Sequence, residues 1–260
     1  MRRPKVGLAL GAGGARGIAH IGVLKVLKEA NIPIDLLAGS SIGSVIAALY
    51  ASGLDISAME TLASKLKRKL FVDLTIPKLG LISGDRVKEL IRILTKGKNI
   101  EDLNIPLAIV ATNLYDGKEV IFNKGPIDLA VRASISVPGI FEPVIWEKKM
   151  LVDGGVIDRV PISVVKDMGA DIVIAVDVLA SLNRTKIDNI FDVIAQTIII
   201  MEKEIVEKQI LFADFVIYPK VAHISTTKFN NIKECIKKGE EATLKILDKL
   251  KEKLEKGVKN

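Results

Sequence analysis

Val6-Gly7-Leu8-Ala9-Leu10-Gly11-Ala12-Gly13-Gly14-Ala15-Arg16-Gly17 and Leu36-Leu37-Ala38-Gly39-Ser40-Ser41-Ile42-Gly43-Ser44 are the two stretches that decide the fold class. Each is a short apolar run that stops at glycine and hands over to an apolar helical pattern. Ile18 to Ala30 follows the first, with Lys25, Lys28 and Glu29 on one narrow polar face, and Ser44 to Ala51 follows the second. Strand, loop, helix, strand, sharp turn, helix is the order of a mostly parallel sheet covered by helices on both faces, a three-layer α/β/α architecture.

Outward from this block the alternation continues. Leu107 to Thr112, Val120 to Phe122, Leu151-Val152, Ile172 to Val176 and Phe215 to Tyr218 read as further short strands. Helical periodicity marks Asp85 to Thr95, Ile162 to Asp167, Ile190 to Leu211 and Asn230 to Lys256. No repeat or linker interrupts the chain, so residues 1–260 are expected to form one domain. Lys65 to Ser83, where a basic run meets Leu70, Phe71, Pro77 and Gly80, is the expected mobile stretch.

Composition limits the function classes. The chain is 49% hydrophobic with a formal net charge of +7. Its basic residues alternate with glutamate along helices and only three tyrosines and one tryptophan could stack on bases, so no nucleic-acid partner is expected. Ile190 to Met201, the longest apolar candidate for a membrane span, contains Asp192 and Gln196. A cytoplasmic protein is expected, and the single Cys235 fits a reducing compartment as a buried apolar residue. Lys65 to Phe71 could meet an anionic membrane surface peripherally or be a solvated basic helix face.

Gly39-Ser40-Ser41-Ile42-Gly43 fits G-x-S-x-G at a strand-to-helix turn, where two glycines remove clashing side chains and leave the Ser41 hydroxyl raised. The plain alternative is a helix-capping serine. Gly11 to Gly17 offers closely spaced N–H groups at a helix start, suited to a developing oxyanion. As a dinucleotide loop it fails where Arg16 stands in place of the third glycine of G-x-G-x-x-G. Arg16 either anchors the loop or meets a substrate phosphate. A serine needs a base. His20 reads as a structural imidazole within the first helix; His223 follows Ser41 and Asp153 in triad order; and Asp153, ahead of Gly154-Gly155 at a strand end, is either the base itself or part of an ordinary turn.

Taken together, Gly11 to Gly17, Gly39 to Gly43 and Asp153-Gly154-Gly155 resemble the three ordered signatures of the patatin-like phospholipases. Ala19 to Leu24, Ala133 to Phe141 and Asp158-Arg159-Val160-Pro161 are similar to its compact microbial members. The resemblance runs from about Val6 to Val178. It implies a Ser-Asp dyad on Ser41 and Asp153, an oxyanion hole on the amides of Gly13, Gly14 and Ala15, and neither metal nor cofactor. Gly11, Arg16, Gly17, Gly39, Gly43, Gly154 and Gly155 would support these motifs. Where many relatives carry Asn, this chain has Asp158, which bears on local loop geometry. The expected activity is hydrolysis of a phospholipid, lysophospholipid or other fatty acyl ester through an acyl enzyme. Transfer of the same acyl group to an alcohol and a nucleotide-binding module on the glycine loop are the alternatives.

Overall fold

The computed structural model describes residues 2–65, 79–180 and 190–257. The described strands are β1 (Val6–Leu10), β2 (Leu36–Ser40), β3 (Leu107–Asn113), β4 (Glu119–Phe122), β5 (Val144–Trp146), β6 (Lys149–Asp153), β7 (Ile172–Val176) and β8 (Phe215–Ile217). The helices are α1 (Ala19–Glu29), α2 (Ile42–Ala51), α3 (Ile56–Lys65), α4 (Asp85–Leu94), α5 (Ile127–Ser134), α6 (Ile162–Asp167), α7 (Ile190–Gln209) and α8 (Ile232–Glu255).

One sheet runs β5-β6-β3-β2-β1-β7-β8, with β4 also paired to β3. β3, β2, β1, β7 and β8 are parallel, while β4 and β6 run antiparallel to β3. The three-layer architecture read from the sequence is thus present, with an antiparallel margin added. Side-chain alternation builds two unequal faces. Leu8, Leu10, Ile174 and Val176 point into the larger core, whereas Ala9, Ala38, Ala108 and Ala175 pave the other face. The small residues let α6 sit close: a methyl on Gly7 would collide with the Val165 side chain.

The C-terminal helix closes the larger face. α8 crosses α1 at Gly22 and Gly239, where a methyl on either glycine would run into a carbonyl of the opposite helix, Ile236 or Ala19. Sequence reading missed β5, α3 and α5. Each has at most ten residues, and α5 is buried almost all round, which erases the polar face that periodicity depends on. Most of Lys65 to Phe71 and of Lys65 to Ser83 lies outside the described residues. No helix among the described residues is long and apolar enough to cross a membrane.

Candidate active site

At the end of β2 the chain turns on Ser41 (φ 52°, ψ −126°) directly into α2. A non-glycine residue in this region is strained and must be held by its neighbours. The Ser41 N–H donates to Ser134 Oγ (2.9 Å), and the Ser41 carbonyl accepts from Ser44 Oγ (2.6 Å). Glycine is required on both sides: a methyl on Gly39 would stand 2.6 Å from the Gly43 carbonyl oxygen, and one on Gly43 would run into the Leu10 carbonyl.

Asp153 ends β6, and the register of β2, β3 and β6 carries it to Ser41. Ser40 lies opposite Val110, and Ala111 lies opposite Asp153. Ser41 Oγ donates to Asp153 Oδ2 at 2.6 Å, across 112 residues of sequence. Asp153 Oδ1 accepts from the Gly155 N–H (2.7 Å). Its backbone is fixed as well, its N–H donating to the Ser136 carbonyl (3.0 Å) and its carbonyl accepting from Thr112 Oγ1 (2.9 Å). Burial pushes the Asp153 carboxyl up to about 6, against the opposing pull of the Ser41 and Gly155 donors. A methyl on Gly154 would meet the Val110 carbonyl, so this glycine lets the turn lie against β3.

The glycine loop is tied down from several sides. Gly11 N–H donates to the Val176 carbonyl (3.1 Å) and Ala12 N–H to the Arg159 carbonyl (2.9 Å). His20 is buried and donates from Nε2 to the Gly11 carbonyl (2.8 Å); burial holds its pKa down to about 4, so it is a neutral structural imidazole. Arg16 is also buried, with Nε and Nη2 donating to the Ile224 (2.7 Å) and Ala222 (2.6 Å) carbonyls, which makes it an anchor. A methyl on Gly17 would collide with the Ile42 side chain, so the loop abuts the residue after Ser41.

One amide assignment is corrected. The Ala15 N–H, expected at the oxyanion position, donates to the Thr226 carbonyl at 2.8 Å. The cause is Gly14, whose left-handed conformation (φ 55°) turns the chain into a short 3-10 segment and aims the next amide at the loop before α8. The N–H groups of Gly13 and Gly14 donate to no other described residue, and Gly14 lines the same cavity as Ser41.

That cavity is about 300 Å³ and almost wholly apolar. Ile42, Val45, Ile46 and Leu49 line it along one face of α2, with Met59 and Ile91 from α3 and α4 among the other walls. Thr226, Thr227 and Phe229 contribute from the segment before α8. The remaining histidine candidate does not join the site. His223 is exposed and paired with Glu234 Oε1 (2.7 Å), and neither Ser41 nor Asp153 bonds to it.

Several polar residues around Ser41 were not singled out for a role from sequence. Ser134 holds the elbow; its only signal was its place in the Ala133 to Phe141 stretch. Arg159 and Asp177 form a fully buried ion pair (2.8 Å) behind the loop, and Glu202 on α7 is buried beside Gly155. Glu202 sits in an otherwise helical, amphiphilic run that gave no hint of it. Asp158, by contrast, is expected from sequence to bear on local loop geometry; its N–H donates to the Gly154 carbonyl (2.9 Å), and burial together with the Glu119 carboxyl pushes its own carboxyl well above the usual carboxylate range.

The family model for patatin-like phospholipases matches residues 8–166. An uncharacterized NTE family protein of Mycobacterium tuberculosis is 38% identical over 181 residues, covering 68% of this chain and 50% of that protein. Lysophospholipase nte1 of Aspergillus fumigatus is 40% identical over 179 residues, 66% of this chain but 12% of its own length. The chain therefore spans half or less of the length of these curated relatives. Among solved structures, VipD from Legionella pneumophila superposes with a TM-score of 0.60 at 16% identity, covering 96% of this chain and 67% of that one. ExoU, in its complex with SpcU from Pseudomonas aeruginosa, gives 0.56 at 20% identity over 95% of this chain and 52% of that one.

Proposed function

The chain belongs to the patatin-like phospholipase family, and from that premise we propose that it is a serine acyl hydrolase of lipid esters working through a Ser41-Asp153 dyad. The observation that carries this is the 2.6 Å hydrogen bond from Ser41 Oγ to a buried carboxylate, with the serine on the wall of an apolar cavity. Asp153 takes the Ser41 proton as Oγ attacks the ester carbonyl carbon. The resulting oxyanion is held by the N–H groups of Gly13 and Gly14. As the tetrahedral intermediate collapses, Asp153 returns the proton to the departing alcohol. Water, deprotonated by the same carboxylate, then attacks the acyl carbon, and as the second tetrahedral intermediate collapses Asp153 returns that proton to Ser41 Oγ and the fatty acid leaves.

A free carboxylate is too weak a base for an alcohol; burial of Asp153 narrows that gap. The acyl chain occupies the cavity along α2, whose size suits a small apolar ligand. A phospholipid or lysophospholipid fits this arrangement, reached at the membrane surface by a protein that associates with it peripherally. Residues 1–260 act as one catalytic domain, since the loop before α8 supplies both a cavity wall and the acceptors that hold Arg16.

Ser41→Ala abolishes hydrolysis of acyl esters and labelling by a fluorophosphonate probe, while circular dichroism stays that of the parent. Undiminished turnover would end the assignment.

A further inference from the structure

Gly155 stands between two carboxyl groups. A methyl placed on it would lie 3.0 Å from Asp153 Oδ1 and 2.9 Å from Glu202 Oε1, so these oxygens are within about 6 Å of each other, where two negative charges oppose joint ionisation. Both residues are buried. Only one has anionic support: Asp153 accepts from the Ser41 hydroxyl and the Gly155 amide, while no donor among the described residues hydrogen-bonds to Glu202.

We infer that Glu202 is a positioning residue for the base, a carboxylic acid that keeps its own proton and thereby leaves the single negative charge of the pair on Asp153, where Ser41 needs it. This rests on the dyad proposed above. The groups facing Glu202 are Asp153 from β6, Arg159 from the segment before α6, and Asp177 from the end of β7. Tyr218 feels the charges of the same Arg159–Asp177 pair. On its own helix the neighbouring Lys203 is turned to Glu207 (3.2 Å). Arg159 gives Nη2 to Asp177 Oδ2 (2.8 Å), which offsets its charge at Glu202 only in part, and its Nε and Nη1 hydrogen-bond neither to Glu202 nor to any other described residue. Burial, then the Asp153 charge, pushes the Glu202 carboxyl up to about 8, which separates it from Asp153 at about 6. Two interacting acids titrate in two macroscopic steps, so both should appear in the rate.

The test is the pH dependence of kcat/KM for a soluble acyl ester with the parent protein and with Glu202→Gln, which imitates the protonated acid. The parent shows inflections near pH 6 and pH 8; the variant keeps the lower and loses the upper. Infrared difference spectra of parent against variant at neutral pH show the band of a protonated carboxyl. Superimposable pH profiles, or a spectrum showing that Glu202 is ionised at neutral pH, would overturn the inference. Glu202→Met supplies a second neutral side chain of similar length, and failure of both variants to fold would make Glu202 structural instead. Ser41→Ala run alongside separates the two claims. If Ser41→Ala still hydrolyses ester the dyad is wrong, whereas an inactive Ser41→Ala beside an unchanged Glu202→Gln profile removes only the role of Glu202.

Discussion

Ser41 divides its surroundings into two unlike halves. On one side lie Asp153, the Gly155 amide, Glu202 and the Arg159–Asp177 pair, groups placed by hydrogen bonds of 2.6–2.8 Å or by shared burial. On the other lies a cavity of about 300 Å³ whose walls carry hardly a polar atom. The polar half depends on atom positions and charge states, so one altered atom is enough to stop the chemistry. The apolar half depends on volume and area, which change in small increments with each methylene. Substitutions on the two sides should therefore differ in kind as well as in size.

The largest effect belongs to Asp153→Asn, which keeps the shape and removes the base. Turnover falls by about 10³-fold, in the range general-base catalysis supplies. Stability moves the other way. The folded protein holds the Asp153 proton more tightly than the unfolded chain does, with a pKa of about 6 against an ordinary 3.8. Below pH 3.8 both states are protonated and nothing is lost; as pH rises the folded state pays for a buried charge, fully so above about 6. That gap costs roughly 3 kcal/mol at ~1.4 kcal/mol per pH unit. Asp153→Asn should accordingly melt higher than the parent at pH 8 and show no such gain at pH 3. A variant that is both inactive and less stable at pH 8 would mean that Asp153 is a structural ion and not a strained base.

The apolar half answers to size. Leu49 lies two turns along α2 from the nucleophile, on the face that lines the cavity. Leu49→Phe takes space from the acyl chain without touching a polar group. Displacing two methylenes forfeits about 1.6 kcal/mol, so kcat/KM for long acyl esters drops roughly 15-fold. Short-chain esters keep their rate. Equal losses at every chain length would place the acyl group elsewhere.

The same division explains what could be read from sequence. Glycine spacing betrayed the elbow because backbone collisions at Gly39 and Gly43 leave no other residue type, and a strand run ahead of each motif placed Ser41 and Asp153 at strand ends. The sheet register that joins them crosses β3, which no local pattern encodes. The Ala15 amide was misassigned for a related reason. Its partner, Thr226, is more than two hundred residues away, and only the left-handed turn at Gly14 reveals where that N–H points. Glu202 and the cavity wall at Thr226 to Phe229 come from the segment beyond residue 166, outside the family match. There the contacts are tertiary throughout, and helical periodicity alone cannot say that one glutamate of α7 faces inward.

The smallest effect tests whether the polar half is complete without a histidine. His223 follows Ser41 and Asp153 in the order of a hydrolase triad, yet it stands exposed on the loop that Arg16 anchors, giving Nε2–H to Glu234. An exposed pair of this sort contributes little, because water screens it. Removing it should loosen that loop slightly and leave Asp153 as it was. His223→Ala therefore keeps kcat/KM within about twofold of the parent, well under one power of ten in rate. It also keeps the rise through pH 6, because that inflection belongs to the carboxylate. A thousandfold loss with the fold intact would require the loop to swing His223 onto Asp153 during turnover. Arg16 would then have to release both carbonyls it now holds, so Arg16→Ala would change the rate along with it.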